Sequence, residues 1–360
     1  MENINARVLE LAPYQPGKPL EELSREMGIS DAIKLASNEN PRGPGLRVRE
    51  ALADAIASVS RYPDSTGYRL KRLLANRLDV DEAQITLGNG SNDVLELAAR
   101  VALSPGSVGV VDEYCFVVYP LAIAAAHGEL ARIPSVDWGH DLEEMLAAID
   151  ALTRIVYIAN PNNPTGTWVS KNSLQKFLER VPERVWVVLD EAYFEYVDRA
   201  DYPNGIKLLD DYPNLIVTRT FSKIHGLAAL RIGYSVTSSD FADLMNRIRQ
   251  PFNVNTLALA AAEAALGDDA YVDASRQLNT TGMNFMVDGL SNMGHTVIPS
   301  AGNFITFECG KASRGLYEGL LERGVIVRPL GNYGMYEHLR VTVGLPDENE
   351  RFLKALSQIS

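Results

Sequence analysis

The chain has 360 residues, 46% of them hydrophobic and 22% charged, with 46 acidic against 34 basic side chains and a formal net charge of -12. That length favours two packed domains over a single core, and the acidic balance argues against nucleic acid as the main partner. Two cysteines, Cys115 and Cys309, are too few for a disulfide framework and fit a reducing compartment.

The N-terminus MENINARVLELAPYQPGKP has no basic start followed by an apolar run, so no secretory signal is expected. No run approaches the roughly 18 apolar residues of a membrane span, and the expected location is the cytoplasm. The Pro/Gly-rich NPRGPG marks a boundary near residue 41. From about 84 to 236, QITLG, SVGVVD, RIVYIAN, VWVVLD, NLIVTR and RIGYSV read as strands, most without the alternation of a half-exposed sheet. Between them NDVLELAARVAL and KNSLQKFLERV repeat apolar residues at three and four, as amphipathic helices do. The alternation predicts an α/β fold: a three-layer large domain with a mostly parallel sheet, over 45–250. After Pro251 come an alanine-rich helix (TLALAAAEAAL), a longer helix near 269–292, the shorter strands HTVIP, NFITFE, GVIVRP and LRVTVG, and a closing helix, DENERFLKALSQI. These predict a smaller α+β domain made of 1–44 and 251–360. There is no internal repeat and no low-complexity tract.

The residue types that carry chemistry gather at strand ends. Lys223 follows an apolar strand, flanked by Ser222 and by Gly226, which lets the backbone turn. A lysine bonds an aldehyde only as the free amine, so its site must lower its pKa by desolvation or by a cation such as Arg231. Asp190 ends VWVVLD, where a buried acid is costly without a partner; taken alone it reads as a cap or a sheet-edge carboxylate. Glu191 is expected to face away from it. Tyr193 lies three residues beyond Asp190. PNNPTG (161–166) projects the amide of Asn163 from a turn at a strand end, the edge where α/β sheets bind ligands, although such residues also make ordinary loops. GNGSND (88–93) joins a strand to a helix whose free N–H groups attract a phosphate, and it lacks the third glycine of a dinucleotide fingerprint. An amine, a carboxylate, a phenol and a guanidinium match the four handles of pyridoxal phosphate. Arg328 and Arg340 border apolar strands, where guanidinium forks suit carboxylate or phosphate. No His or Cys spacing suggests a metal site, and no G-x-S-x-G elbow suggests a serine hydrolase.

Collected in order, these motifs resemble those of the fold-type I pyridoxal-phosphate aminotransferases of the class II group. Within them the chain is most similar to the histidinol-phosphate branch, on LASNENPRGPG (35–45), RYPDSTGYRLK (61–71), LGNGSND, DEAYFEY (190–196), the Lys223 segment, VIVRPLGNYG (325–334) and LRVTVGLPDENERFL (339–353). The resemblance implies that Lys223 bonds the cofactor aldehyde and shuttles the proton. It implies that Asp190 binds the pyridine nitrogen, that Asn163 and Tyr193 contact the ring hydroxyl, and that Phe116 stacks on the ring. Ser91, Asn92, Thr220, Ser222 and Arg231 would hold the phosphate. Tyr62 would reach the phosphate of a neighbouring subunit's cofactor, which implies a homodimer with shared active sites. Arg340 matches the carboxylate-binding arginine and Arg328 its helper for a substrate phosphate. The substrates implied are histidinol phosphate and 2-oxoglutarate, giving imidazole-acetol phosphate and glutamate in histidine biosynthesis. Arg42 departs from the pattern, since relatives more often carry an apolar or aromatic residue near this substrate entrance.

Three other readings compete. An aromatic-amino-acid aminotransferase would need only the carboxylate clamp. A phosphothreonine-type decarboxylase would release carbon dioxide. A regulatory binding protein on the same fold would need a DNA-binding segment, for which the residues before the fold are too few and too acidic.

Overall fold

The computed structural model describes residues 5–9, 11, 13 and 17–359. Parts of the predicted small domain (1–4, 10, 12, 14–16 and 360) lie outside the described residues, as do those positions of the stretch read for a signal. After a two-residue strand β1 (Ile33–Lys34) come β2 (Ile85–Gly88), β3 (Val108–Asp112), β4 (Glu129–Ile133), β5 (Thr153–Ala159), β6 (Trp186–Asp190), β7 (Leu215–Thr220) and β8 (Gly233–Val236). Strands β2 to β8 form one sheet in the order β2-β8-β7-β6-β5-β3-β4, parallel except that β8 runs against both neighbours. The central strands are apolar without alternation because both faces are covered. In β6, Val187 and Leu189 enter one core with Leu174 and Phe177, while Val188 enters the opposite core with Val94, Tyr119 and Phe241. The period of two therefore decides which face each strand-end residue serves.

The helices begin where side chains satisfy their free N–H groups. Ser170 accepts from Ser173 N (3.2 Å) ahead of Lys171–Leu178, and Asn255 from Ala258 N (2.8 Å) ahead of Thr256–Leu266. β9 (Val297–Ile298), β10 (Phe304–Glu308), β11 (Val325–Ile326), β12 (Arg328–Leu330) and β13 (Met335–Thr342) follow. Four of them make an antiparallel sheet in the order β12-β13-β10-β9, and β11 pairs in parallel with β1. A third core of Leu35, Met286, Ile305, Phe307, Val341 and Phe352 lies under this sheet. The helix Asp269–Asn292 reaches from the large unit, where Val272 packs beside Tyr193, to this core at Met286 and Leu290.

Three details differ from the sequence reading. β4 (ELARI) was not among the predicted strands: it is an edge strand with mostly exposed residues, so it lacks the apolar run that marked its neighbours. GVIVRP divides into β11 and β12, which join different sheets. The alanines of Thr256–Leu266, at 258, 261, 262 and 265, pack into the core of the large sheet, although this helix follows Pro251. At the front of the chain, Asn5 Nδ2 donates to Ala124 O (2.9 Å) on the large unit, while Ile33–Lys34 pair with the small one.

Candidate active site

The carboxyl ends of β2, β3, β5, β6 and β7 meet at one edge of the large sheet, where parallel sheets collect ligands. A cavity of about 200 Å³ opens there, closed on its far side by the small sheet. Its walls carry Ser91, Asn92, Phe116, Asn163, Asp190 and Tyr193 from the large unit. Thr220, Ser222, Lys223 and Arg231 continue the same surface, and Arg328 and Arg340 come from β12 and β13. Of the residues to which the resemblance assigns a cofactor or substrate role, Tyr62 alone is absent from it. Its side chain is 82% exposed and stacks on Phe252 with ring centroids 4.6 Å apart.

Asp190 lies on the Val188 face of β6 and is 4% exposed. Its carboxylate accepts from Tyr119 Oη (2.8 Å) and Thr218 Oγ1 (2.9 Å). Burial pushes its pKa up; the two hydroxyls, the Ala192 N–H and the charge of Lys223 pull against that without cancelling it. Both hydroxyl donors are neutral. Glu191, one residue on, faces the other way, takes Arg219 Nε (2.9 Å) and Nη2 (2.8 Å) on one oxygen, and accepts from Gly205 N on the other (2.7 Å).

Lys223 Nζ donates to Ser37 O at 3.3 Å and lies 5.4 Å from the centre of the Tyr193 ring. The Tyr193 hydroxyl accepts from Asn38 Nδ2 (2.9 Å) and Asn163 Nδ2 (3.2 Å), so two amides orient it. At the opposite end, the helix Ser91–Ala102 starts against the Arg231 guanidinium. Gly90 has φ +80°, and a Cβ there would stand 2.3 Å from Arg231 Nη2. A Cβ on Gly233 would stand 2.5 Å from Ser91 N. Only glycine allows this approach, and it brings the helix N-terminus, Arg231 and Ser222 Oγ (3.2 Å from Arg231 Nη1) to one point. Helix N–H groups and a guanidinium brought to one point are the chemistry that attracts an anion.

The small-sheet wall is cationic. Arg328 and Arg340 stand directly opposite each other across the β12–β13 ladder, each 6% exposed. Arg340 Nη1 donates to Asn163 Oδ1 (2.5 Å) and Nη2 to Ala36 O (2.9 Å). Like charges opposed across a ladder are destabilising, so this pairing is suited to bind an anion. Arg42 serves elsewhere: its Nη1 donates to Tyr271 O and Ser275 Oγ (both 2.9 Å), and its guanidinium covers the Tyr271 ring at 4.6 Å.

Sequence reasoning missed Tyr119, Thr218, Asn38 and Tyr333. Tyr119 follows Phe116 by one helical turn, a spacing that alone gives no hint of Asp190 as its partner. Asn38 sits inside the LASNENPRGPG segment, and only the packing of 35–40 against Tyr193 discloses its target.

Fold and site together define a transaminase-type protein, and the chain belongs to the family Aminotransferase class I and II, whose sequence model matches residues 30–356. It is 54% identical over 354 residues to histidinol-phosphate aminotransferase 2 of Pseudomonas fluorescens (strain Pf0-1), covering 98% of this chain and 96% of that protein. It is 53% identical to the protein of the same name from Pseudomonas aeruginosa, with the same coverage. Among solved structures it is similar to histidinol-phosphate aminotransferase from Sinorhizobium meliloti in complex with pyridoxal-5'-phosphate, with a TM-score of 0.92, 30% identity, and coverage of 100% of this chain and 98% of that one. Aspartate aminotransferase from Thermus thermophilus with maleate shares the fold at 20% identity and a TM-score of 0.86.

Proposed function

We propose that the chain is a pyridoxal-phosphate-dependent histidinol-phosphate aminotransferase, exchanging an amino group between histidinol phosphate and 2-oxoglutarate in histidine biosynthesis. The observation that carries this is the pairing of two anion sites in one cavity: the Gly90–Ser91–Arg231 cradle on the large sheet and the opposed Arg328 and Arg340 on the small one. The full-length likeness to histidinol-phosphate aminotransferases supports it. It does not extend to the aromatic, decarboxylase or regulatory readings.

The donor set fits the cofactor. The cradle suits its phosphate, and Asp190, buried with neutral hydroxyl donors, suits a cationic ring nitrogen. Tyr193, oriented by Asn38 and Asn163, suits the ring hydroxyl, and Phe116 the ring face. When bound, pyridoxal phosphate supplies an aldehyde that bonds amines and a ring that accepts the electron pair left at carbon. Lys223 Nζ is the amine that would hold the aldehyde, and as a free amine it would be the group placed to move a proton at the substrate carbon. Asp190 would hold a proton on the ring nitrogen. Arg340 would bind the carboxylate of glutamate in one half of the cycle, and Arg328 would join it on the phosphate of histidinol phosphate in the other, so one wall serves both anions.

The enzyme is proposed to work in the cytoplasm; no helix among the described residues is long and apolar enough to cross a membrane. It is proposed to act as a homodimer, with Tyr62 reaching the partner's cofactor phosphate. Exposed Leu46 (71%), Ile56 (61%), Val59 (59%) and Tyr62 on one stretch of chain support an apolar face there. The two-domain division is retained, with Thr256–Leu266 assigned to the large domain because its alanines lie in that core.

The test is initial-rate turnover of histidinol phosphate with 2-oxoglutarate, beside phenylalanine as donor, for the natural chain and Lys223→Ala. A large preference for histidinol phosphate, abolished in Lys223→Ala, is expected. Preference for phenylalanine would overturn the substrate assignment. Transamination that survives in Lys223→Ala would overturn the mechanism.

A further inference from the structure

We propose that Trp138 is a positioning residue for the phosphate-binding side of the cavity, an inference that rests on the substrate reading above. The segment 136–139 is a tight hairpin closed by Val136 N to Gly139 O (3.1 Å) and Gly139 N to Val136 O (2.8 Å). Its two central residues have positive φ, +49° at Asp137 and +63° at Trp138. Such a turn favours Gly, Asn or Asp, and a bulky aromatic there is an outlier kept only where surrounding contacts over-determine it. The contacts are present. Thr167 Oγ1 donates to the Trp138 carbonyl (3.0 Å), and the adjacent His140 lies 3.3 Å from Asp112 and 2.9 Å from Ala159 O, tying the hairpin to the ends of β3 and β5.

The indole spans the seam between the two units. Its ring meets Tyr114 at 5.4 Å on one side and the edge of His338, on β13, at 4.7 Å on the other. It joins the apolar cluster of Ile298, Leu330 and Met335, with Tyr333 at its margin. Leu330 ends β12, the edge strand that also carries Arg328, and Tyr333 lines the cavity beside that arginine. β12 has three residues, includes a proline, pairs on one side only, and shifts register at Pro329/Leu330. Its own ladder holds it weakly. Trp138 supplies the support that this ladder lacks. Elsewhere the seam between the units is tied at Ala301 N to Gly166 O (2.9 Å) and, on β10 with β13 between it and β12, at Thr306 Oγ1 to Pro164 O (2.5 Å), neither of them a bond to β12 itself. The strained hairpin therefore sets where the Arg328 segment stands relative to the strand ends, and hence the fit of the group that Arg328 binds.

The experiment compares Trp138→Ala and Trp138→Phe with the natural chain in initial-rate kinetics, giving separate KM values for histidinol phosphate and 2-oxoglutarate, beside thermal unfolding. Trp138→Ala is expected to raise KM for histidinol phosphate about tenfold, with kcat within about threefold and KM for 2-oxoglutarate within about twofold, because Arg340 is held independently by Asn163 and Ala36. Trp138→Phe, which keeps an apolar ring, should return KM to within about threefold of the natural value. Should Trp138→Ala not fold, Trp138→Leu carries the same test. Equal rises in both KM values, a fall in kcat alone, or no rescue by phenylalanine would overturn the inference while leaving the proposed reaction standing. A natural chain that does not turn over histidinol phosphate would overturn both.

Discussion

Asp190 and Glu191 are neighbours at the end of one strand, buried on opposite faces of one sheet, and the chain treats them in opposite ways. Both are acids whose pKa burial pushes up. Glu191 receives a guanidinium of the chain's own, Arg219, held on two nitrogens and further fixed by Asn204 Oδ1 at 3.0 Å. Asp190 receives two hydroxyls, from Tyr119 and Thr218, and the Ala192 N–H, with the charge of the Lys223 amine also acting on it. A carboxylate that serves structure is neutralised inside the fold. Asp190 is oriented by neutral donors at the cavity wall and, on the proposed function, would pair with the cationic ring nitrogen of the cofactor. On the cavity's other wall two guanidiniums, Arg328 and Arg340, face each other across the β12–β13 ladder.

The contrast can be broken from either side. Asp190→Asn keeps the shape, removes the charge and turns one of the two acceptor oxygens into a donor, so one hydroxyl must reverse its bond. Its kcat is expected to fall by ~10²–10³, as when other preorganised groups at reacting centres are removed, with thermal unfolding nearly unchanged. Glu191→Ala should do the reverse: it strands Arg219 in the core and costs about 3–4 kcal/mol in urea unfolding. Protein that folds should keep most of its kcat. If both substitutions depress activity equally, the division of labour between the two faces is wrong.

A smaller effect sharpens the same picture through buried histidines. His225, two residues beyond Lys223 and 8% exposed, has its pKa lowered to about 4 by burial and then by the charge of Arg77. Between its ordinary value of 6.5 and about 4, the unfolded chain takes up a proton that the folded chain refuses. The stability this group contributes is thus intact above pH 6.5 and lost as pH falls toward 4, a difference of about 3 kcal/mol. His225→Gln should flatten the dependence of unfolding free energy between about pH 7 and about pH 4.5. His140 behaves oppositely: burial works to lower its pKa, but the Asp112 carboxylate raises it on balance. The same substitution there should give no such flattening.

Much of the site was legible because its residues follow signals that survive in one dimension. An acid after five apolar residues, a lysine after a buried strand, and glycines before a helix each mark a strand end, and parallel sheets bring strand ends together. Period-two alternation alone sends Asp190 and Glu191 to different faces. The exposed edge strand β4 was not legible, because ELARI has neither an apolar run nor a clean polar–apolar alternation. Neither was the placement of Thr256–Leu266, since an alanine-rich helix packs against either unit equally well by pattern.

Sequence patterns by themselves determined the layered α/β order, the strand ends and the chemical kinds of side chain at them, because burial and backbone period act locally along the chain. Only the tertiary structure decided which donors hold Asp190, that Arg328 opposes Arg340, that Arg42 is engaged by the helix at Tyr271, and that Tyr62 is exposed outside the cavity. Those facts depend on contacts between residues far apart in the chain, such as the 71 positions between Tyr119 and Asp190, and no local periodicity records them.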